Sequence, residues 1–291
     1  MSKQSMSSWL KNGTPWVWLN AGAVSISLVM VIGLLGLIAV RGLSNFWPPD
    51  IVAVNYSEPG SVHITLLGEI VDKETVSALR LKNAGVDLPE GQSAGQRYLL
   101  KVGNRDYFGL DFRWINGPWM MEQERPEHVV AIERREWGHF YGYLAGVKES
   151  GEWIAKGDGA WSELQKRLER SNGLVDEIKQ IEKNEIGEIN HGLESLRLEE
   201  RQLELEGVET GSLQHQEIAQ SRKDWDEKYA VIQQTLGDLY TSLNRDQMMM
   251  IISDGREVEI PLSKVVVAYQ PNAMSTIDKL EFYFHEVWKF V

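Results

Sequence analysis

The chain contains no cysteine. This absence excludes disulfide bonds, zinc–thiolate sites, cysteine nucleophiles and lipid attachment at a lipobox or a prenylation motif. Basic residues are also in short supply, since 30 Lys and Arg against 42 Asp and Glu give a formal net charge of −12 and a pI near 5.1. A nucleic-acid surface needs clustered basic side chains, so this balance argues against a nucleic-acid partner.

Sequence motifs that would define a catalytic or metal site are lacking as well. The chain has no Gly-rich phosphate loop and no His-Glu-x-x-His. Gly-x-Ser-x-Gly occurs once, at 91–95, but a strand-like segment follows it instead of the helix that a nucleophile elbow requires. The six histidines are scattered, and none lies three or four residues from another, as a metal-binding helix face would require. We therefore predict no catalytic, cofactor-binding or metal-binding residues and no cofactor, and the substrate-binding residues stay unassigned.

One long hydrophobic run is present near the N-terminus, at residues 16–40, and it carries no formal charge over 25 residues. At about 1.5 Å per residue it is long enough to cross a hydrocarbon core about 30 Å thick. A cleaved signal peptide is the rival interpretation, but such peptides have a shorter apolar region, and Val40-Arg41-Gly42 matches a cleavage site poorly. The run therefore predicts a transmembrane helix over 16–41.

The charges around this run predict its orientation. Lys3 and Lys11 precede it without a compensating acid, whereas Arg41 and Asp50 nearly cancel on the other side. The positive-inside rule then places residues 1–15 in the cytoplasm. The prediction is a bacterial inner-membrane protein with residues 42–291 in the periplasm.

Two stretches of the remaining chain are strand-like. Residues 42–160 form a β-rich block with the clearest strands at 62–67, 98–102 and 129–134, and with a short helix from Lys73 to Gly85 between the first two. A second β block spans 247–274, with Asp254-Gly255 at the turn of a hairpin and a further strand at 265–269.

Residues 161–246 separate the two β blocks, contain no proline and are rich in Glu, Leu, Gln and Arg. Apolar residues recur there at heptad spacing, at Ile218, Trp225, Tyr229, Ile232, Leu236, Leu239 and Leu243. Glycines at 207 and 211 break the pattern, which predicts an antiparallel helical hairpin of the coiled-coil kind; a single very long helix is the alternative. Because the outgoing arm is the longer one, we expect it to begin as a separate short helix or to break near Gly187 or Gly192.

Residues 275–291 predict an amphipathic helix with a Ser275 cap, Asp278 three residues on, and an aromatic face. The fold class predicted is therefore a membrane-anchored α+β protein. It has one N-terminal transmembrane helix and a mainly β extracytoplasmic domain that is made from two sequence blocks and interrupted by a long helical hairpin.

Two polar patterns have both a functional and a structural interpretation. The aromatic and basic segment 133–144 suits an oxyanion-binding or protein-binding surface, but a strand and turn with internal ion pairs is the interpretation we favour. Asn-Arg-Asp occurs twice, at 104–106 and 244–246, next to β segments. We expect the side chains of both triplets to bond to backbone groups and to be structural.

Several strings together resemble a known family. They are GAVS at 22–25, IAVRGL at 38–43, VGNRD at 102–106, ERREWG at 133–138 and AYQPNAMST at 268–276. In this order they resemble the N-terminal region of the enlarged PstA-type permease of the phosphate ABC importer. In that family the first helix is followed by a large periplasmic insertion, which leads back to the remaining membrane helices.

This resemblance implies that the chain is the N-terminal part of a permease subunit of an ATP-driven phosphate importer, with 275–291 leading toward a second transmembrane helix. The implied partners are a second permease subunit, an ABC ATPase and a periplasmic phosphate-binding protein. Since the ATPase is a separate subunit, the chain itself would be no enzyme, and its insertion would serve protein–protein contact.

A membrane-anchored periplasmic adaptor of the membrane-fusion type is the alternative function, because such adaptors also combine an anchor, β modules and a coiled-coil hairpin. It predicts a lipoyl-like half-motif on each side of the hairpin, and the sequence contains none that we recognise. An anchored enzyme is a third hypothesis, which the missing motifs disfavour.

Overall fold

The structure is a computed structural model and describes residues 13–89 and 91–290. It divides into two compact units. The anchor unit consists of the described residues up to Pro49 together with those from Met274 onward, and the β unit is Asp50–Ala273.

Helix α1, Thr14–Ser44, begins with Pro15 in its first turn, where the missing N–H of proline is not needed. Its 31 residues extend about 46 Å at the standard rise. Within the segment Pro15–Ser44, the most apolar window of 18 residues has a mean hydropathy of 2.7 and is unburied in the structure. The helix is therefore long and apolar enough to cross a membrane.

The β unit begins with a five-stranded antiparallel sheet in the order β4-β3-β2-β1-β5. Apolar side chains of several strands meet on its inner side, and the backbone N–H of Asn116 donates to the Tyr56 hydroxyl across that core at 3.4 Å. Two short helices, α2 and α3, connect its strands. The bounds are β1 Val52–Tyr56, β2 Ile64–Ser77, α2 Ala78–Asn83, β3 Ala94–Lys101, α3 Arg105–Phe108, β4 Phe112–Asn116 and β5 Met120–Glu124.

The helix expected before Gly85 is shorter than the sequence suggests. Residues from Lys73 to Thr75 belong to β2, because they pair with β3 and because Glu74 bonds to Arg97 at 2.8 Å. Only α2 is helical, and the left-handed backbone of Gly85 (φ 81°) follows its end. Pairing with β3 places these residues in a strand instead of a further helical turn. A local sequence pattern does not reveal such pairing.

The second sheet has six strands in the order β10-β9-β7-β6-β11, with β8 paired to β7. Its members are β6 Val129–Arg134, β7 His139–Glu149, β8 Glu152–Lys156, β9 Asp246–Ile251, β10 Glu257–Pro261 and β11 Val265–Tyr269. Strands from the two separate β blocks therefore form one sheet, and the prediction of a mainly β domain with a helical insertion is confirmed.

The insertion is an antiparallel helical hairpin. It consists of α4 Ala160–Gln180, a π-helical turn Ile181–Glu185, α5 Ile186–Leu205 and α6 Leu213–Leu243. Two hydrogen bonds between the arms fix their register. Arg222 donates to Glu200, and the Tyr240 hydroxyl donates to Glu182, both at 2.8 Å. The predicted fold-back near residues 207–211 is confirmed.

The unequal lengths of the two arms have a different explanation from the one expected. The first turns of α4 lie on the six-stranded sheet, where Leu164 and Leu168 are buried in the same core as Met248. The helix continues through Gly187 and Gly192 themselves, and the α-helical pattern is interrupted instead just before Gly187, by the π-helical turn Ile181–Glu185. Gly192 instead faces Trp225 of α6, and a Cβ added at Gly192 would lie 2.5 Å from the indole ring.

The anchor unit ends with α7, Thr276–Phe290. The expected cap is present, because the Ser275 hydroxyl accepts from the Asp278 backbone N–H at 3.3 Å and the Ser275 N–H donates to the Asp278 carboxylate at 2.9 Å.

We predict that alanine has opposite effects at two glycines of α5. Gly192→Ala should lower the free energy of unfolding by about 1–3 kcal/mol, because the methyl group displaces the Trp225 ring. Gly187→Ala, which meets open space, should raise it by up to about 1 kcal/mol. Thermal unfolding followed by circular dichroism measures both.

A third variant isolates the cause. In a Trp225→Ala background the obstruction is gone, so Gly192→Ala should become as favourable as Gly187→Ala. If Gly192→Ala still destabilised this background, the contact with Trp225 would not be the reason for glycine at 192.

Candidate protein-contact site

A strained turn joins β6 to β7. Glu133 pairs with His139 and Ile132 with Phe140, so the chain reverses over residues 135–138, which we call the Trp137 turn. Trp137 (φ 69°) and Gly138 (φ 70°) are both left-handed. A bulky side chain in that region costs about 1–3 kcal/mol, and yet Trp137 is 58% exposed. The strained backbone at Trp137 thus lowers the stability of the folded protein, although its indole is exposed to solvent.

Arg134, the last residue of β6, holds this turn in place. Its side chain is only 5% exposed. Its Nη1 and Nη2 donate to the two carboxylate oxygens of Asp106 at 2.7 and 3.0 Å, while Nη2 and Nε also donate to the carbonyls of Trp137 and Gly138 at 3.0 and 3.2 Å. A planar guanidinium suits such a fork. The clamp fixes the backbone on both sides of the exposed indole.

Asn104 supports Asp106 from the other side of the clamp. It is 1% exposed and left-handed (φ 53°). Its side-chain amide donates to the Tyr141 carbonyl at 2.9 Å and its Oδ1 accepts from the Tyr141 N–H at 2.8 Å. The backbone N–H of Asn104 donates to the His139 carbonyl at 3.0 Å. This amide therefore ties the segment before α3 to β7, as the structural interpretation of the first Asn-Arg-Asp triplet expects.

Around the joint formed by Arg134, Asp106 and Asn104, the side chains of His139 and Tyr141 are neutral near pH 7. Burial, followed by the positive charges of Lys101 and Arg134 and opposed by Asp111, lowers the pKa of His139 to about 4. Burial and the neighbouring Glu69 carboxylate raise the pKa of the Tyr141 phenol, which donates to that carboxylate at 3.2 Å. The joint thus keeps its hydrogen-bond pattern across the physiological pH range.

The arginines of segment 133–144 are used inside the fold. Besides Arg134, Arg135 donates through Nε to the Ser263 carbonyl at 3.1 Å and through Nη2 to the Asn172 amide oxygen at 2.7 Å. This agrees with the interpretation by internal ion pairs and hydrogen bonds. Trp137 is the aromatic side chain that the turn exposes to solvent, beside the exposed Glu136.

The second Asn-Arg-Asp triplet lies at the base of the hairpin. The Asp246 side chain, 3% exposed, accepts from Arg167 at 2.5 Å and from Arg170 at 3.1 Å, and Arg167 also bonds to Glu163 and Glu149. These carboxylates raise the pKa of Arg167 against the opposing effect of burial. The cluster joins α4 to the beginning of β9 and is structural.

A cleft of about 550 Å³ lies between β2 and the β9–β10 turn. Its lining is mainly apolar, with Arg113 and Asp254 among its polar side chains. Arg113 is already paired with Glu58 at 3.1 Å, and Asp254 with Arg256 at 2.7 Å. The cleft therefore shows no charged group reserved for a ligand among the residues that line it.

The sequence singled out segment 133–144 as a possible binding surface but did not reveal the left-handed, exposed Trp137 that distinguishes it. Trp-Gly at 137–138 resembles an ordinary turn, and nothing local indicates that the tryptophan itself is left-handed. That conformation depends on Asp106, 28 residues earlier than Arg134, and it becomes visible only in the tertiary structure.

We predict that Arg134→Met lowers the free energy of unfolding by about 1–3 kcal/mol. The substitution removes the four hydrogen bonds that the buried guanidinium donates, although water can partly replace it at the more exposed Asp106 carboxylate. Arg105→Met is the matched control, because Arg105 is exposed and pairs loosely with Asp111 at 3.7 Å, so a change within about 0.5 kcal/mol is expected. Chemical denaturation of the full chain in detergent measures both, and equal effects would contradict the clamp.

The lowered pKa of His139 predicts a pH effect on stability. Below pH 6.5 the unfolded chain binds a proton at this histidine that the folded chain accepts only near pH 4, so folding loses stability as the pH falls through this window. For a shift of this size the loss between pH 7 and pH 4.5 is about 2 kcal/mol. In His139→Gln the loss over the same interval should be smaller by that amount, and identical slopes for the two proteins would contradict the assignment.

Comparison of the chain with protein-family models, with curated proteins and with solved structures returns no match. The family of this chain therefore rests on the resemblance of its sequence strings, which these comparisons leave as a prediction. What the structure itself contributes is a mainly β unit with a helical hairpin, an apolar helix long enough to cross a membrane, and an exposed tryptophan on a clamped turn.

Proposed function

We propose that the chain is the N-terminal part of an inner-membrane permease subunit of an ATP-driven phosphate importer, and that its β unit serves protein–protein contact. The resemblance to the PstA-type permease supports the transport system. The length and hydropathy of α1 support the anchor. The single observation that favours a contact role for the β unit is the Trp137 turn.

Trp137 has the properties of a binding hot spot. Tryptophan is enriched among the residues that dominate interface energetics. A rigid side chain also loses little entropy on binding, and the Arg134 clamp has already ordered the backbone that carries this one. Strain at an exposed aromatic residue has no benefit for folding, which favours a functional reason for it.

The proposed topology determines which partners the turn meets. With residues 1–15 in the cytoplasm and 42–291 in the periplasm, Trp137 faces the periplasmic phosphate-binding protein or the outer part of the second permease subunit. The ABC ATPase docks on the cytoplasmic side, so it associates through the permease and not through the β unit. In this proposal that separate subunit hydrolyses the ATP that drives transport.

A membrane-anchored adaptor of the membrane-fusion type is the second candidate. The observation in its favour is the hairpin, inserted between β8 and β9, whose tip exposes Leu205 and Leu213 by 75% and 77%. An adaptor would bind its partner through this tip, whereas the permease hypothesis assigns the contact to the Trp137 turn.

The absence of cysteine allows a direct test of topology. We predict that a membrane-impermeant maleimide labels Val62→Cys in intact spheroplasts, because Val62 is 83% exposed and lies after α1. It should label Ser8→Cys only after lysis. The reverse pattern would place the β unit in the cytoplasm, and labelling of Val62→Cys in a soluble fraction would show that α1 does not anchor the chain.

We predict that Trp137→Gly separates binding from stability. Glycine relieves the left-handed strain, so the free energy of unfolding should stay unchanged or rise by about 1 kcal/mol. Binding to the periplasmic partner should nevertheless weaken by about 2 kcal/mol, roughly 30-fold. Ser150→Gly is the matched control, since Ser150 is also exposed and left-handed (φ 51°) but carries no aromatic group.

The measurement is co-purification of the membrane-extracted protein with its neighbours, followed by titration of the partner that is recovered. The proposal expects a second permease subunit and an ABC ATPase in the complex, with Ser150→Gly behaving as the parent. Recovery of neither subunit would overturn the importer assignment. Loss of binding in Leu205→Asp with Leu213→Asp, together with full binding in Trp137→Gly, would favour the adaptor.

A further inference from the structure

Helix α7 is divided along its length into three sectors. At about 100° per residue, one side carries the partly buried residues, which we call the packed sector. The opposite side is exposed and is itself split into an apolar and a polar sector. The packed sector contains Lys279, Phe282, Tyr283, Glu286 and Val287, and the exposed polar sector contains Asp278, Glu281, His285 and Lys289.

The exposed apolar sector, which we call the α7 stripe, consists of Ile277, Leu280, Phe284 and Trp288. Their spacing of three, four and four residues confines them to an arc of roughly 80°. Their exposed fractions run from 42% for Leu280 to 84% for Trp288. Burying such side chains is worth about 1.5–3 kcal/mol each, so water is an unfavourable environment for this face.

The position of α7 indicates what covers the stripe. Tyr283 of the packed sector contacts Trp47, with ring centroids 6.1 Å apart. Trp47 follows the end of α1 at Ser44, and Trp16 and Trp18 lie near the beginning of that helix. Tryptophans at the two ends of an apolar span are typical of the two membrane–water interfaces. The contact therefore brings α7 to the interface at the Trp47 end of α1.

The charge of α7 is consistent with a helix that lies in the interface. The helix carries three acids, Asp278, Glu281 and Glu286, against the two lysines at 279 and 289. It therefore has no net positive charge to attract anionic headgroups, and apolar burial must supply the attraction.

We propose that α7 lies in the headgroup region of the bilayer on the Trp47 side of α1, with the α7 stripe among the upper acyl chains and its polar sector toward water. The ligand class is the phospholipid surface itself, without a preference for anionic headgroups. This inference rests on the proposal that α1 spans the membrane. It adds a second, lateral attachment that orients the chain where it leaves the bilayer.

Single cysteines in the full chain, labelled with the fluorophore NBD and reconstituted into phosphatidylcholine vesicles, test the inference. Phe284→Cys reports the stripe, Glu281→Cys the exposed polar sector, and Val24→Cys the hydrophobic run of α1. We expect a lipid nitroxide near the headgroup to quench NBD at 284 strongly and at 281 weakly. A nitroxide deep in the acyl chain should quench position 24. The result should be the same when anionic lipid is added.

The three positions separate the possible failures. Quenching at 24 without quenching at 284 would overturn the interfacial helix and leave the anchor intact, whereas no quenching at either would overturn the anchor itself. A blue-shifted emission at 284 that lipid nitroxides do not quench would show that protein, a second copy or a partner helix, covers the stripe. Quenching at 284 that appears only with anionic lipid would contradict the proposed apolar mechanism.

Discussion

The Arg134 guanidinium connects three pieces of chain that are distant in sequence or different in conformation. It neutralises the Asp106 carboxylate just before the five-stranded sheet resumes at β4, it ends β6, and it bonds to the two carbonyls of the Trp137 turn. A buried guanidinium is tolerable only when its donors are satisfied. The conformation of the turn and the junction between the two sheets therefore depend on the same side chain.

Asn104 and His139 extend this dependence into the β unit. The Asn104 amide bonds to both backbone groups of Tyr141, in the way a neighbouring strand would. Burial keeps His139 neutral, so the joint holds no titrating charge near pH 7. Hydrogen bonds are directional, so a polar junction of this kind fixes how two sheets pack more specifically than apolar contact alone does.

The hairpin is inserted into a sheet that would be continuous without it. Strand β7 pairs with β8, which precedes the insertion, and with β9, which follows it. Asp246 and its arginine partners close the base of the insertion where α4 leaves the sheet. Because the ends are held together there, the arms project as one unit whose tip is free to meet a partner.

Much of this architecture follows from the sequence alone. An uncharged, mainly apolar run of 25 residues at 16–40 indicates a long helix, and heptad spacing at 218–243 indicates a helix with one apolar seam. Short apolar runs bounded by turn residues indicate strands such as 129–134 and 265–269. These features are local, and local periodicity is sufficient to define them. The cap at Ser275 and Asp278 belongs to the same class.

Only the tertiary structure decided the features that depend on distant partners. The extension of β2 to Ser77 depends on β3 beside it. The need for glycine at position 192 depends on Trp225 of the opposite arm. The left-handed conformation of Trp137 depends on Arg134, which Asp106 holds in place. Each of these conformations is unfavoured by its own neighbours in sequence. Contacts made by residues far along the chain supply the free energy that stabilises them, and such contacts leave no local pattern to detect.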